Sequence, residues 1–471
     1  MRKAKMIFTV GPSCSEPAIL HKLMLAGMDA ARLNFSHGTA SQHRQMYGRL
    51  RSLARRLRKP LAILQDIQGP RVRLGRLAGE RVQIRSGASF ILTTRSITGD
   101  SLRASVQYNQ LHREVNKGDR ILLADGSIQL RVVEVDGRDI LTRVLSGGEL
   151  NSHQGLNLPG VDISAPAVTD KDRKDLRLGV RLGVDLVAVS FVRRPEDVIQ
   201  VKRIIKKAGG DAEVVAKIEH PQALEHLDDI LDACDGIMVA RGDLGVEMPP
   251  ERVPAIQKSL ITRANQRGKL AIVATQMLES MRRNPRPTRA EASDVANAVF
   301  DGADALMLSG ETANGEYPVE AAQMMARIIT EAEKSPALMN PTSNRPLQDP
   351  ALFPNAVCNA AVVAARDIDA RLIVAFTESG STARLLSDYR PQARIVALTP
   401  HLRTYNRLNV LWGVEPIKVP KVRSTDAMLR QVNQTLLQLG YARPGDGVVI
   451  ASGVPIGQPG STNLLKLHRV A

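Results

Sequence analysis

The sequence predicts an α/β fold class: a (β/α)8 barrel with an inserted small β-barrel cap, followed by a doubly wound α/β domain. Three observations predict it. Eight short apolar runs recur between helix-length amphipathic segments. A stretch with strand-like two-residue alternation interrupts the third repeat. Beyond a Pro- and Asn-rich linker, strand and helix patterns alternate again.

The eight runs are Met6–Val10, Asp29–Leu33, Leu61–Leu64, Asp185–Val189, Glu213–Ile218, Gly236–Ala240, Leu270–Ala274 and Ala303–Leu308. Strands alternating with helices imply parallel βα units. A barrel of such units carries its active face at the C-terminal ends of the strands. The first run ends in Thr9, Val10, Gly11 and Pro12, and the second in Arg32, Asn34, Ser36 and His37. The third gives Asp66 and the fourth Ser190. The fifth gives Lys217 and Glu219, the sixth Asp243, the seventh Thr275, and the eighth Ser309 and Glu311. A Ser or Thr at such a place is often only a helix N-cap, and Ser190 is read that way.

Lys217 and Glu219 stand two apart in an apolar, β-branched run, so both side chains leave one face of the strand. On an isolated strand such a pair is usually a solvated face. Here the next run ends at Asp243, between Gly242 and Gly245. Parallel neighbours would bring two carboxylates and one ammonium to one spot. Two carboxylates with open positions suit Mg²⁺, and a Lys beside it suits a phosphoryl group in transfer.

After Asp66 come Gly69-Pro70 and then the alternating stretch, as in Val132-Val133-Glu134-Val135-Asp136-Gly137-Arg138. Asp125-Gly126, Asp136-Gly137 and Gly147-Gly148 are turn signals. The return segment Gly155–Gly160 has hinge-like Gly and Pro at its ends. The division reads as residues 1–68 and 161–338 for the barrel, 69–160 for the cap and 339–471 for the last domain. A cap over the barrel mouth would exclude water during phosphoryl transfer.

The linker runs from Pro336 to Pro350. The later strand Arg371–Phe376 leads into Thr377-Glu378-Ser379-Gly380-Ser381-Thr382 and a helix. Hydroxyls and a Gly at a helix N-terminus suit an anion; an ordinary helix cap fits equally well.

The 471 residues are 43% hydrophobic and suffice for several domains. No apolar run reaches the ~18 residues of a membrane span, and the basic N-terminus is too short for a signal peptide. Cys14, Cys234 and Cys358 form no metal or disulfide spacing, which points to a reducing cytoplasm. The net charge of +16 raises the question of nucleic acid. The densest basic segment, Arg44–Lys59, has helical spacing and few aromatics, and aromatics are 3% of the chain. Base stacking lacks material, so the segment reads as a solvated helix face. The overall field favours anionic substrates.

Taken in order, Arg32-Leu33-Asn34-Phe35-Ser36-His37-Gly38, Lys217-Ile218-Glu219, Ala240-Arg241-Gly242-Asp243-Leu244-Gly245, Ala274–Ser280, Pro287–Glu291 and Met307–Thr312 closely resemble pyruvate kinases over essentially the whole chain. The resemblance implies phosphoryl transfer from phosphoenolpyruvate to ADP, giving pyruvate and ATP. Glu219 and Asp243 would hold Mg²⁺ or Mn²⁺. Lys217 would neutralise charge on the phosphoryl group and the enolate, and Arg32 would grip the phosphate. The Gly242 and Asp243 amides would meet the substrate carboxylate. Thr275, Ser309 and Glu311 would organise the water that protonates the enolate carbon. Thr9, Pro12, His37 and Arg73 match nucleotide-side positions.

The family's monovalent-cation ligands correspond to Asn34, Ser36, Asp66 and Ile67. Arg71 stands where K⁺-requiring members carry Glu. Its permanent guanidinium implies an enzyme that needs no K⁺. The alternative is an exposed hinge residue with no partner in the site. Other departures are Gln154 for a nucleotide-side Lys, and Ala124 before Asp125. Glu378 in the C-terminal loop, with Thr377, Ser379, Gly380, Ser381 and Thr382, suits a monophosphate effector better than a bisphosphate. The resemblance also implies a homotetramer. Two other readings stand beside it: a different Mg²⁺-dependent barrel enzyme acting on phosphoenolpyruvate or pyruvate, and a catalytically altered paralogue serving as a basic binding protein.

Overall fold

The computed structural model describes residues 2–161, 163–164, 166–335, 352–457 and 460–471. The predicted linker from Pro336 to Pro350 lies outside the described residues.

Eight parallel strands close into a barrel in sequential order. They are β1 (Lys5–Thr9), β2 (Ala30–Asn34), β3 (Ala62–Asp66), β4 (Leu186–Val189), β5 (Glu213–Ile218), β6 (Gly236–Ala240), β7 (Leu270–Ala274) and β8 (Ala305–Leu308). Alternation decides which side chains point inward. Ile7, Ala30, Ala62, Leu64, Ala188, Val215, Ile272 and Met307 fill the interior. Their alternate neighbours Phe8, Ala31, Ile63, Val187, Val214, Val273 and Leu306 belong to the outer core under the helices. Continuing the inner set by two residues brings Thr9, Arg32, Asp66, Ser190, Lys217 and Ser309 to the barrel mouth. The parity that packs the core therefore aims the site.

The chain leaves β3 through Gly69, at φ +70°, where a Cβ would stand 3.0 Å from the Ser190 carbonyl oxygen. A side chain there would meet both backbone strain and a clash. The insertion forms a six-stranded and a two-stranded sheet around one apolar core that includes Phe90, Leu130 and Ile140. It returns through the strand Leu156–Asn157.

The last domain is a five-stranded sheet with β9 (Leu372–Phe376), β10 (Arg394–Thr399), β11 (Val414–Lys418), β12 (Gly447–Gly453) and β13 (Thr462–Arg469). Its order is β11-β10-β9-β12-β13, and β13 alone runs antiparallel. Apolar clusters cover the sheet on both faces. The domain docks below the barrel, at the strand starts: Arg384 pairs with Glu213 at 2.7 Å and Arg390 with Asp304 at 2.7 Å.

Candidate active site

The barrel mouth is built around the Lys217 ammonium. It donates to Ser190 Oγ at 2.8 Å and lies 2.9 Å from Glu219 Oε1 and 3.4 Å from Asp66 Oδ1. Burial works against its charge, yet Asp66 and Glu219 more than offset that, so its pKa lies above the ordinary lysine value. Asp66 also accepts from Arg32 Nε at 2.7 Å. Burial alone would raise the Asp66 pKa; Lys217 and Arg32 hold it below the usual carboxylate value.

Glu219 is 1% exposed, and its other oxygen accepts from the Phe191 amide at 2.8 Å. Burial lifts its pKa, and the nearby Asp243 charge adds to the rise. The two carboxylates thus lie close enough to repel, and a divalent cation would relieve that repulsion. Among the described residues no cluster of three or more metal-type side chains occurs. Two carboxylates nevertheless fit Mg²⁺, which fills its other positions with water and substrate oxygens. Glu219 and Asp243 would hold it.

Asp243 sits in the first turn of a short helix, Arg241–Glu247, directly after β6. Arg241 fixes that turn through a two-pronged pair with Asp294, at 2.6 Å to each oxygen. Its other arm donates to the Thr275 carbonyl at 2.8 Å. Thr275 and Gln276 both have left-handed backbones, at φ 68° and 54°. This is costly for a β-branched residue. The Thr275 hydroxyl accepts from the Gly242 amide at 2.8 Å. An amide expected to meet a substrate carboxylate is therefore already engaged, and would have to share or exchange that partner.

Four residues have partners that the sequence did not show. Ser190 is no helix cap: the following helix starts at Pro195, and the hydroxyl accepts from Lys217 and donates to the Ile67 carbonyl at 2.8 Å. Thr9 is 4% exposed, donates to the Leu308 carbonyl and accepts from Arg32 Nη1 at 3.1 Å. It orients Arg32, which the nucleotide-side expectation for Thr9 did not include. Glu311 is fully buried, and its two oxygens accept from the Leu278 and Ser309 amides at 3.0 and 2.7 Å. It positions the loop that carries Ser309. Ser309 Oγ, by contrast, is buried with no protein partner and borders the cleft that holds Asp243 and Thr275. Finally, Arg71 is not partnerless. It lies 3.4 Å from Asp125 of the insertion and 3.9 Å from Asp243, packed so close that a Cβ on Gly155 would stand 2.6 Å from its Nε.

At the end of β2, Asn34 Oδ1 accepts from the Ser36 amide at 3.0 Å, and the Ile67 carbonyl is taken by Ser190. His37 is largely exposed, with its pKa depressed by partial burial and by Arg73, Arg32 and Arg71. This region is strongly positive. Sequence reasoning did not single out the Arg241–Asp294 pair or the Phe191 amide. The buried hydrogen bond from Asn157 to Glu247, 2.8 Å, also went unread. Only Ser190 carried a signal, its place at the end of an apolar run.

In the C-terminal domain, the Thr377–Thr382 loop lies between the C-terminal ends of β9 and β12, where the strand order reverses. Ligands of open α/β sheets bind at such a point. Thr377 accepts from the Gly380 amide at 2.9 Å and Thr382 bonds Thr462 at 2.7 Å, so these hydroxyls brace the loop. Gly380, at φ 97°, is the N-cap of the helix Ser381–Asp388 and has no side chain of its own to cap it. Ser379 and Ser381 line the adjoining hollow.

Residues 1–322 match the family model described as pyruvate kinase, barrel domain, and residues 355–468 that described as pyruvate kinase, alpha/beta domain. The pyruvate kinase of Staphylococcus epidermidis is 43% identical over 472 residues, covering 100% of this chain and 81% of that protein. That of Staphylococcus aureus is equally similar, 43% with the same coverage. A crystal structure of a pyruvate kinase from Cryptosporidium parvum superposes with a TM-score of 0.92 at 36% identity, covering 100% of this chain and 96% of that one. Fold and relatives together define a phosphotransferase built on a (β/α)8 barrel. Within that class, the chain belongs to the pyruvate kinase family. The family generally uses Mg²⁺.

Proposed function

We propose that the protein transfers the phosphoryl group of phosphoenolpyruvate to ADP, giving pyruvate and ATP, without needing K⁺. The observation that carries this reading is the buried Lys217 ammonium, set among Asp66, Ser190 and Glu219 and flanked by Arg32 and Asp243. Arg32, oriented by Thr9 and Asp66, grips the phosphate. Lys217 faces the oxygen where negative charge grows as the phosphorus–oxygen bond breaks. An ion on Glu219 and Asp243, when bound, supplies further positive charge to the substrate's oxygens. The departing enolate takes its proton at carbon, from water held by the Thr275 and Ser309 hydroxyls. Pro12, His37 and Arg73 form the nucleotide side. Positioning and fixed charge supply the catalysis, as phosphoryl transfer requires.

K⁺ independence rests on Arg71, whose guanidinium lies near Asp243 and whose charge adds to the burial that depresses the His37 and Arg73 pKa values. The Thr377–Thr382 loop would take a phosphorylated effector through Ser379, Ser381 and the amides after Gly380. A monophosphate suits it because Glu378, paired with His401, keeps a carboxylate beside the hollow. Buried free cysteines accord with a cytoplasmic setting, and the family resemblance with a homotetramer. A coupled assay of pyruvate and ATP formation tests the central reading. It should show turnover that depends on phosphoenolpyruvate, ADP and a divalent cation; its absence in the folded protein would favour a binding paralogue.

A further inference from the structure

The helix Ala40–Leu57 spans the barrel from top to bottom. Its 18 residues correspond to about 27 Å of length. Its upper end is tied to the site. His43 stacks on Phe35 with ring centroids 3.8 Å apart and bonds the His37 carbonyl at 2.9 Å. Phe35 and His37 belong to the loop that follows Arg32. Its lower end lies beside another helix, Leu402–Arg407, from the C-terminal domain. Between the two ends opens a cavity of about 510 Å³. That is within the range of about 300–1,000 Å³ for small-molecule sites.

The lining is unusual for a gap between domains. Arg55, Arg58, Lys59 and Arg403 converge on it together with Tyr47 and Tyr405. Its one carboxylate, Asp185, is already held at 2.5 Å by Arg51. Arg403 is paired outward with Asp211. Among the described residues, Arg55, Arg58 and Lys59 make no ion pair, and Lys59 donates weakly to the Met24 carbonyl at 3.4 Å, outside the hollow. Cations do complement the negative end of a helix. That accounts for their place on the helix, but not for an apolar, tyrosine-bearing hollow between them. Tyr405 bridges the hollow, its hydroxyl donating to the Arg58 carbonyl at 3.4 Å.

We propose that this cavity binds a phosphate monoester carried on a ring, the phosphate meeting Arg55, Arg58 and Lys59 and the ring lying against Tyr47 and Tyr405. The helix Leu402–Arg407 also meets the loop proposed to take an effector: Thr404 donates to the Glu378 carbonyl at 2.9 Å, and His401 pairs with the Glu378 side chain. A ligand here therefore joins that loop to the helix whose far end braces the Arg32 loop. This coupling rests on the proposed function; binding itself does not.

Calorimetry on the full-length protein uses three probes: AMP, glucose 6-phosphate and inorganic phosphate. At least one ester should bind about tenfold or more tighter than inorganic phosphate, and the tighter of the two names the source of the ring. Arg55→Glu with Arg58→Glu, on exposed side chains, should weaken that ester about tenfold or more. Tyr405→Leu, which keeps every cation, should also weaken it. Because the C-terminal loop is itself proposed to take a monophosphate, the titrations are repeated on Ser379→Ala with Ser381→Ala, which should weaken any event at that loop and leave one binding event, the one that the Arg and Tyr changes weaken. Circular dichroism confirms that each variant is folded. Failure of both esters to bind, binding indifferent to the Arg changes, loss of every binding event through the Ser changes, or inorganic phosphate binding as tightly as the esters would each overturn the site. The coupling is read separately. The ester should shift the phosphoenolpyruvate KM in the unmutated protein and not in the double-Arg variant; binding with no such shift overturns the coupling alone.

Discussion

Lys217→Met removes the ammonium while keeping an unbranched chain of similar length. Three contacts disappear: 2.8 Å to Ser190 Oγ, 2.9 Å to Glu219 and 3.4 Å to Asp66. Asp66 keeps Arg32, but Glu219 keeps only the Phe191 amide and the unfavourable neighbour Asp243. Removing one partner of a buried charge pair costs about 3–5 kcal/mol of stability. Arg32 retains Asp66, so the loss should fall at the lower end. The catalytic loss is separate. Arg32, the residue proposed to grip the phosphate, is untouched, so the phosphoenolpyruvate KM should change little, while kcat should fall by about 100-fold or more. Lys217→Arg, which restores charge on a broader planar group, should recover stability better than turnover. Coupled turnover, thermal unfolding and Mn²⁺ titration without turnover read the three quantities independently. A folded Lys217→Met enzyme with kcat within about tenfold of the unmutated one would refute the assigned role.

Other expectations are equally concrete. Glu219→Gln and Asp243→Asn should each weaken Mn²⁺ binding measured by paramagnetic resonance without substrate; unchanged affinity in both places the ion elsewhere. Arg71→Glu should create a K⁺ requirement, seen by comparing KCl with a tetramethylammonium salt at equal ionic strength, and strong K⁺ stimulation of the unmutated enzyme would defeat the idea. Asp66 has a depressed folded pKa, so its stabilisation is present above the unfolded carboxylate pKa of about 3.9 and is lost as pH falls through the folded value. Asp66→Asn should therefore cost more stability in urea unfolding at neutral pH than in acid, and an equal cost at both would contradict the linkage. At the C-terminal loop, calorimetry should find a sugar monophosphate binding more tightly than fructose bisphosphate, with Ser381→Ala weakening it; tighter bisphosphate binding would reverse the preference.

The barrel was legible because one periodicity serves two purposes. The alternation that buries Val215 inside the barrel also places Lys217 and Glu219 there, so strand parity in the sequence located the ammonium and the first carboxylate together. What stayed hidden depends on distance along the chain. Arg241 meets Asp294 across 53 residues, and Asn157 meets Glu247 across 90, with no local pattern to announce either. Ser190 and Thr9 show a different failure. A hydroxyl at a strand end reads the same whether it caps a helix, touches substrate or steers a neighbour, and only its partners distinguish these. Glu311 is similar: a carboxylate at the mouth suggests chemistry, while its two backbone amides show that it holds the loop in place.

The left-handed backbone at Thr275 and Gln276 has a consequence for engineering and for natural drift. Each such residue stores about 1–3 kcal/mol. Arg241 on the Thr275 carbonyl and Glu311 on the Leu278 amide are the restraints that keep this segment from relaxing. Selection for heat tolerance alone would reward changes that release it, such as glycine at position 276. The same relaxation would let the Thr275 hydroxyl drift from the mouth. Thermostability and turnover should therefore trade against each other at this segment, and a library sorted only for melting temperature should accumulate sluggish enzymes here first.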